Sequence, residues 1–242
     1  MMLSKSQLKL ITSLRQKKYR NNHKLFFVEG IKGVKEFLTS DFKVHSIFCT
    51  DDFSHTLSSE EVELISDAEL QKISLLKNPN QVLGVFEIPS EKEIETSGLT
   101  VVLDAINDPG NLGTIIRLCD WFGVTQIVCS ADTVDCYNPK VVQASMGSLT
   151  RISVKYIDLK EYLESVNKPI YAAVMDGKNL YESKLKKDAI LIMGNEANGI
   201  SKEILEFITD TLTIPQFGEL QEAESLNVAT ATAILLSEFR SG

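Results

Sequence analysis

Residues 191–199 read Leu-Ile-Met-Gly-Asn-Glu-Ala-Asn-Gly. The apolar run Ala189 to Met193 has the length of a buried strand and stops at Gly194. Polar residues follow, then Gly199 and an apolar, helix-like stretch from Ile200 to Ile208. A strand that breaks at a glycine and re-enters a helix leaves backbone N–H groups free at its tip, where they hold polar ligands. Two other stretches share this character, 103–117 (LDAINDPGNLGTIIR) and 214–230 (IPQFGELQEAESLNVAT). The fold is decided by whether the three turns lie at strand ends of one sheet.

The surrounding pattern says that they do. From residue 99 onward, strands are predicted at Leu99–Leu103, Gln126–Cys129, Ile152–Tyr156, Pro169–Met175, Ala189–Met193 and Thr211–Ile214. Helices are predicted between them at Leu112–Phe122, Pro139–Met146, Leu159–Val166 and Ile200–Ile208, and a last one at Ser225–Phe239. The strands are apolar on both faces, which predicts a parallel sheet covered by helices. Upstream, residues 1–88 alternate in the same way and read as a small α/β unit. It opens with a helix near Ser4–Arg15 and has a capping-box spacing at Ser66–Glu69. Residues 89–98 (PSEKEIETSG) are polar, charged and bounded by Pro and Gly, and are predicted to link the two parts.

Composition excludes several classes. The chain has 242 residues, 43% hydrophobic and 24% charged, with no apolar run near the roughly 18–20 residues of a membrane span. The basic start has no continuous apolar core, so no signal peptide is expected. Cys49, Cys119, Cys129 and Cys136 show no Cys-x-x-Cys spacing, and His23, His45 and His55 lie near no cysteine cluster. No metal site is expected, and a reducing cytoplasm is the expected location. The net charge is −8, yet residues 1–35 carry nine Lys and Arg against Glu29 alone. A basic arm on an acidic body suits a polyanion, although a solvated helix face explains the same run.

In the first turn, Asn111 and Arg117 pair a side-chain amide with a guanidinium, which suits phosphate or ribose hydroxyls. A capped helix with a surface arginine is the plainer alternative. Glu196 is the one acid of the second turn, and by itself is a helix-start charge favoured by the dipole. In the third, Ser225 is a candidate N-cap and Asn227 follows it before a run of small apolar residues. No nucleophilic triad, P-loop or G-x-G-x-x-G after a strand is present. The residues alone support a polar, Gly-rich ligand site at strand ends of an α/β domain.

Together the turns resemble the three motifs of the SpoU (TrmH-like) class of SPOUT RNA 2'-O-ribose methyltransferases. DPGNLGTIIR (108–117), MGNEANGIS (193–201) and IPQFGELQEAESLNVATATAILL (214–236) stand for them in order. The basic start and KLFFVEG (24–30) resemble, more weakly, an L30e-like RNA-binding domain. The resemblance implies a deep C-terminal trefoil knot, a fold that connection rules alone do not produce. It implies S-adenosylmethionine as cofactor, held by Ala173, Val174, Met175, Gly177, Gly194, Asn195, Glu196, Gly199, Ile214, Pro215 and Leu226. It implies Asn111, Arg117, Glu196, Ser225 and Asn227 as the catalytic set, with Glu196 and Asn111 orienting Arg117. It implies RNA contacts from Lys5, Lys9, Arg15, Lys17, Lys18, Arg20 and Lys24, and a homodimer with the final helix at its interface. Large-subunit (23S) ribosomal RNA is expected over transfer RNA. A guanidinium stays protonated, so Arg117 is expected to bind phosphate and stabilise developing oxyanion charge. Two departures stand out: a longer 215–224 segment with Glu219, Glu222 and Glu224, and Ala229 where many members have serine. A knotted RNA-binding or ribosome-assembly factor without turnover is the alternative.

Overall fold

The computed structural model describes residues 3–50, 62–90, 93–218 and 225–241. His55, Glu219, Glu222 and Glu224 lie outside the described residues.

The chain divides into two units, one of residues 1–91 and 135–150, the other of 92–134 and 151–242. In the first, α1 (Lys5–Ser13) starts at Ser4, whose hydroxyl accepts from Gln7 N–H (3.2 Å) while Gln7 Oε1 accepts from Ser4 N–H (2.9 Å). This reciprocal cap satisfies two of the orphan donors at the helix start. Then come α2 (Lys17–His23), β1 (Leu25–Glu29), α3 (Ile31–Leu38), β2 (Val44–Cys49), β3 (Val62–Leu64), α4 (Asp67–Ile73) and β4 (Val82–Glu87). The sheet order is β1-β4-β2-β3, antiparallel except for β2 with β3. Ser66 N–H donates to Glu69 Oε2 (3.0 Å) and Leu3 N–H to Glu69 Oε1 (2.8 Å). The Ser66 backbone bond, then that of Leu3, holds the Glu69 carboxyl below its ordinary pKa. The stability they contribute is present above the ordinary carboxylate range and fades as pH falls through the lowered value.

The basic run after α1 holds the helix α2, and one residue of it corrects an expected RNA contact. Arg20 is 2% exposed, and its Nε and Nη2 donate to Asp135 Oδ2 while Nη1 donates to the Leu14 carbonyl at 2.8 Å. Arg20 is a core cross-brace, not an RNA ligand. Arg15 is exposed, but its Nη2 donates to the Ile73 and Ser74 carbonyls (3.3 and 3.2 Å) at the C-terminal end of α4. Lys5, Lys9, Lys17, Lys18 and Lys24 are exposed. The segment 135–150 completes this unit with α6 (Pro139–Ser145). Tyr137 packs against Phe26 with ring centroids 4.7 Å apart and planes tilted by 42°, extending the Phe26, Phe37, Phe42 and Phe86 cluster. Gly147 (φ +92°) lies where a Cβ would stand 2.7 Å from Glu36 Cγ.

The second unit contains β5 (Thr100–Leu103), α5 (Pro109–Trp121), β6 (Gln126–Cys129), β7 (Ser153–Tyr156), α7 (Leu159–Ser165), β8 (Ile170–Asn179), β9 (Ile190–Met193), α8 (Lys202–Leu205), β10 (Asp210–Thr213) and α9 (Val228–Ser241). Its six strands are all parallel in the order β10-β8-β9-β5-β6-β7. The strands β5, β6 and β9 are buried throughout, as apolar two-faced strands require. α5 begins at Pro109 rather than Leu112, because Asp108 Oδ1 accepts from Asn111 N–H (2.8 Å) and proline suits the first helical position. α8 is shorter than the Ile200–Ile208 run, and β8 runs past Met175 to Asn179. The tips of β5, β8, β9 and β10 therefore carry the loops of interest.

Candidate functional site

The β9 tip is shaped by close backbone approach. A Cβ on Gly194 would lie 2.4 Å from the Gly199 carbonyl carbon and 2.5 Å from Ile200 N. Beyond it, Asn195 and Gly199 exchange two backbone hydrogen bonds of 2.9 Å, with Gly199 at φ +68°. Asn195 Oδ1 accepts from Ala197 and Asn198 N–H (2.9 and 3.1 Å), and its Nδ2 donates to the Ala105 carbonyl at 2.7 Å. Buried Asp104 accepts from Ser201 N–H at 2.7 Å. These bonds lock the loop after β9 onto the loop after β5. Gly194→Ala is expected to destabilise the protein by about 1–3 kcal/mol, because the inserted methyl meets backbone that cannot rotate away. Urea unfolding measures it, and a loss below a few tenths of a kcal/mol would contradict the close approach.

The locked loop turns Glu196 outward. Asn111 Nδ2 donates to Glu196 Oε1 at 2.6 Å, and Asn227 Nδ2 donates to Asn111 Oδ1 at 2.9 Å. Asn227 Oδ1 in turn accepts from Ala229 and Thr230 N–H (3.0 and 3.2 Å). One chain of side chains, Glu196–Asn111–Asn227, thus ties the three turns together. Asn227, not Ser225, caps α9, which begins three residues later than the sequence suggests. The expected Glu196–Arg117 contact is absent. Arg117 is exposed and has no hydrogen bond or ion pair among the described residues. Six helical residues separate it from Asn111, which turns its side chain about 120° around the helix at about 3.6 residues per turn.

Beside this chain lies a cavity of about 480 Å3, within the roughly 300–1,000 Å3 of small-molecule and cofactor sites. Ala173, Val174, Met175, Ile214, Pro215 and Leu226 line it, with Gly194, Asn195, Glu196 and Gly199 at the β9 tip. Of the residues expected around the cofactor only Gly177 is not on the wall. Gly177 instead permits β10 to approach: a Cβ there would stand 2.9 Å from Leu212 C, and its N–H donates to Thr213 Oγ1 at 3.2 Å. Ser225 lines the cavity as well.

Sequence reasoning missed Leu212, Thr213 and Gln216 of the wall and Val228, Ala231 and Leu235 on one face of α9. The last three are spaced i, i+3, i+7, a helical-face signal that was available. It also missed the Asp104–Ser201 tie, which no local pattern announces. Cys119 is buried, and burial, then Asp120, pushes its thiol up, so it is no nucleophile. Among the described residues no cluster of His, Cys, Asp or Glu would hold a metal ion, and no helix is long and apolar enough to cross a membrane.

Comparison with known proteins gives two family matches, the longer of which runs through the 135–150 stretch that packs in the first unit. Residues 98–237 match the SpoU rRNA Methylase family, and residues 5–84 match the MRM3-like substrate binding domain. The 23S rRNA (guanosine(2553)-2'-O)-methyltransferase RlmP of Bacillus subtilis (strain 168) is 32% identical over 94% of this chain and 93% of that protein. The solved structure of a putative RNA methyltransferase of the TrmH family from Porphyromonas gingivalis superposes with a TM-score of 0.90. It shares 41% identity over 100% of this chain and 99% of that one. An AdoMet-bound rRNA methyltransferase from Sinorhizobium meliloti superposes with a TM-score of 0.88 at 28% identity, covering 100% and 97% of the two chains.

Proposed function

Because this chain belongs to the SpoU rRNA methylase family, we propose that it transfers the methyl group of S-adenosylmethionine to a ribose 2'-hydroxyl of RNA, with 23S ribosomal RNA as the substrate. The observation that carries the reading is the Glu196–Asn111–Asn227 chain at the edge of the 480 Å3 cavity. The B. subtilis relative named for the same reaction on 23S rRNA, and the match of residues 5–84 to a substrate-binding domain, support the choice of RNA.

The cavity suits the cofactor on its own chemistry. Val174, Ile214, Leu226 and Val228 offer an apolar wall to an adenine ring, and the glycines at 194 and 199 let backbone polar groups approach a ligand. When bound, S-adenosylmethionine supplies an electrophilic methyl group. Asn111 and Asn227, fixed by each other, position the edge of the site where the hydroxyl enters, and Glu196 is the acceptor nearest that network. Arg117, exposed on another face of α5, is free to meet an RNA phosphate and to stabilise developing oxyanion charge there. Catalysis is then chiefly positioning.

In this reading residues 1–88 bind the RNA, 89–98 link, and 99–242 carry the reaction. The C-terminal part of the chain forms the family's trefoil knot, and the protein is a cytoplasmic homodimer with α9 in the interface. Isothermal titration with S-adenosylmethionine is expected to give one site per chain on a particle sedimenting as a dimer. Mapping of 2'-O-methylation in cells lacking the gene is expected to lose one site in large-subunit ribosomal RNA. A folded protein that fails to bind the cofactor would instead leave an RNA-binding or assembly factor without turnover.

A further inference from the structure

Two aromatic rings stand exposed beside the cavity and have no part in the reading so far. Phe217, 82% exposed, directly follows Pro215 and Gln216, which line the cavity. Tyr181, 49% exposed, is its neighbour: the ring centroids are 6.3 Å apart and the planes tilt by 35°. Met175, 61% exposed, lines the cavity too. A scattered surface aromatic needs no explanation, but two in contact at a cavity's edge form a patch.

Tyr181 is held in place from below. Leu180 is fully buried, and Asn179 Oδ1 accepts from Tyr181 N–H at 3.1 Å. Its ring is therefore presented by an anchored turn. The same loop continues through exposed Glu182 into exposed Lys184, Lys186 and Lys187, so three lysines follow Tyr181 in the chain. Planar rings beside lysines are the combination that takes an unstacked base together with its phosphates.

We propose that Phe217 and Tyr181 form a stacking platform for the nucleobase of the nucleotide being methylated. The inference rests on the methyltransferase reading. A 2'-hydroxyl delivered to the cavity mouth carries its own base within one nucleotide's reach of that rim. In double-stranded RNA the base would be stacked and unable to reach a side chain, so the platform selects a nucleotide in a loop, bulge or other single-stranded stretch. Stacking is tolerant of base identity, so the platform holds the nucleotide without naming it.

The test compares wild type with Phe217→Ala, Tyr181→Ala and Phe217→Tyr. Each is measured for S-adenosylmethionine affinity by calorimetry and for methyl transfer to 23S rRNA from cells lacking the gene. Each is also titrated with a single-stranded RNA oligonucleotide containing 2-aminopurine, read by fluorescence. The alanine variants are expected to raise the KM for RNA by about tenfold or more, the loss of one stacked base, while cofactor affinity stays within about twofold. The 2-aminopurine signal falls with them, and Phe217→Tyr restores both. Unchanged KM and fluorescence would overturn the platform. So would a parallel loss of cofactor affinity, which would make the rings part of the cofactor pocket, or dissociation of the dimer, which would make them an interface. Wild type that binds no cofactor and transfers no methyl refutes the enzyme reading instead, and the fluorescence titration still decides whether the rings stack a base.

Discussion

Asn111→Ala is expected to lower single-turnover methyl transfer by about 10²–10³-fold, the scale seen when one positioned polar group is lost from a reacting centre. Asn111 uses both ends of its amide, donating to Glu196 and accepting from Asn227. Truncation releases both partners at once: the third turn loses its side-chain tie to the other two, while the Asp104–Ser201 and Asn195–Ala105 bonds still hold the β9 loop to the β5 loop. Cofactor affinity is expected to stay within about threefold, because Asn111 is not on the cavity wall and its own helix keeps the Asp108 cap. The signature is thus a fall in turnover without a matching fall in binding. Turnover within about twofold of wild type would remove Asn111 from the machinery. An equal loss of cofactor affinity would mean that the network supports the cavity and not the reaction.

The second large effect concerns stability. Arg20→Met is expected to cost about 3–5 kcal/mol in urea unfolding, because it strands a buried charge. Asp135, 12% exposed, would lose both guanidinium donors, and the Leu14 carbonyl its 2.8 Å partner. Removing both charges with Arg20→Met and Asp135→Leu together is expected to recover most of the loss. Arg20→Lys recovers only part, since an ammonium cannot reproduce the fork that spans Asp135 and Leu14. A stable Arg20→Met protein with a flatter salt dependence of RNA binding would return Arg20 to the RNA surface.

Arg20 also shows where sequence reading reaches its limit. The strand Gln126–Cys129, the helix start near Ser4 and the Ser66–Glu69 capping box rest on local signals and are where the pattern puts them. A basic run, by contrast, carries no sign of which member turns inward. That depends on Asp135, 115 residues away. The three turns were legible as one site because their residue types agree, but their wiring was not. Ser225 and Asn227 are both good caps, and only the α9 start decides between them. The motif resemblance pairs Arg117 with Glu196 and Asn111, but helical geometry places it on another face than Asn111. The Asp108-Pro109 start of α5 is readable from the preference for proline in the first turn, three residues before the Leu112 start that the apolar pattern predicts.

The stretch 135–150 has a consequence for how the molecule is made. The N-terminal unit is complete only when Asp135 reaches Arg20, Tyr137 reaches Phe26 and Gly147 settles against Glu36. On the ribosome its first ninety or so residues must therefore wait, unfinished, for the next sixty, a delay of roughly 3–12 s at about 5–20 residues per second. Through that interval Arg20 carries an unanswered charge, and the phenylalanine cluster lacks its tyrosine. Vectorial synthesis and the boundary between the units are out of step, so a nascent chain stalled just past residue 91 presents an open core to chaperones and proteases rather than a finished N-terminal unit.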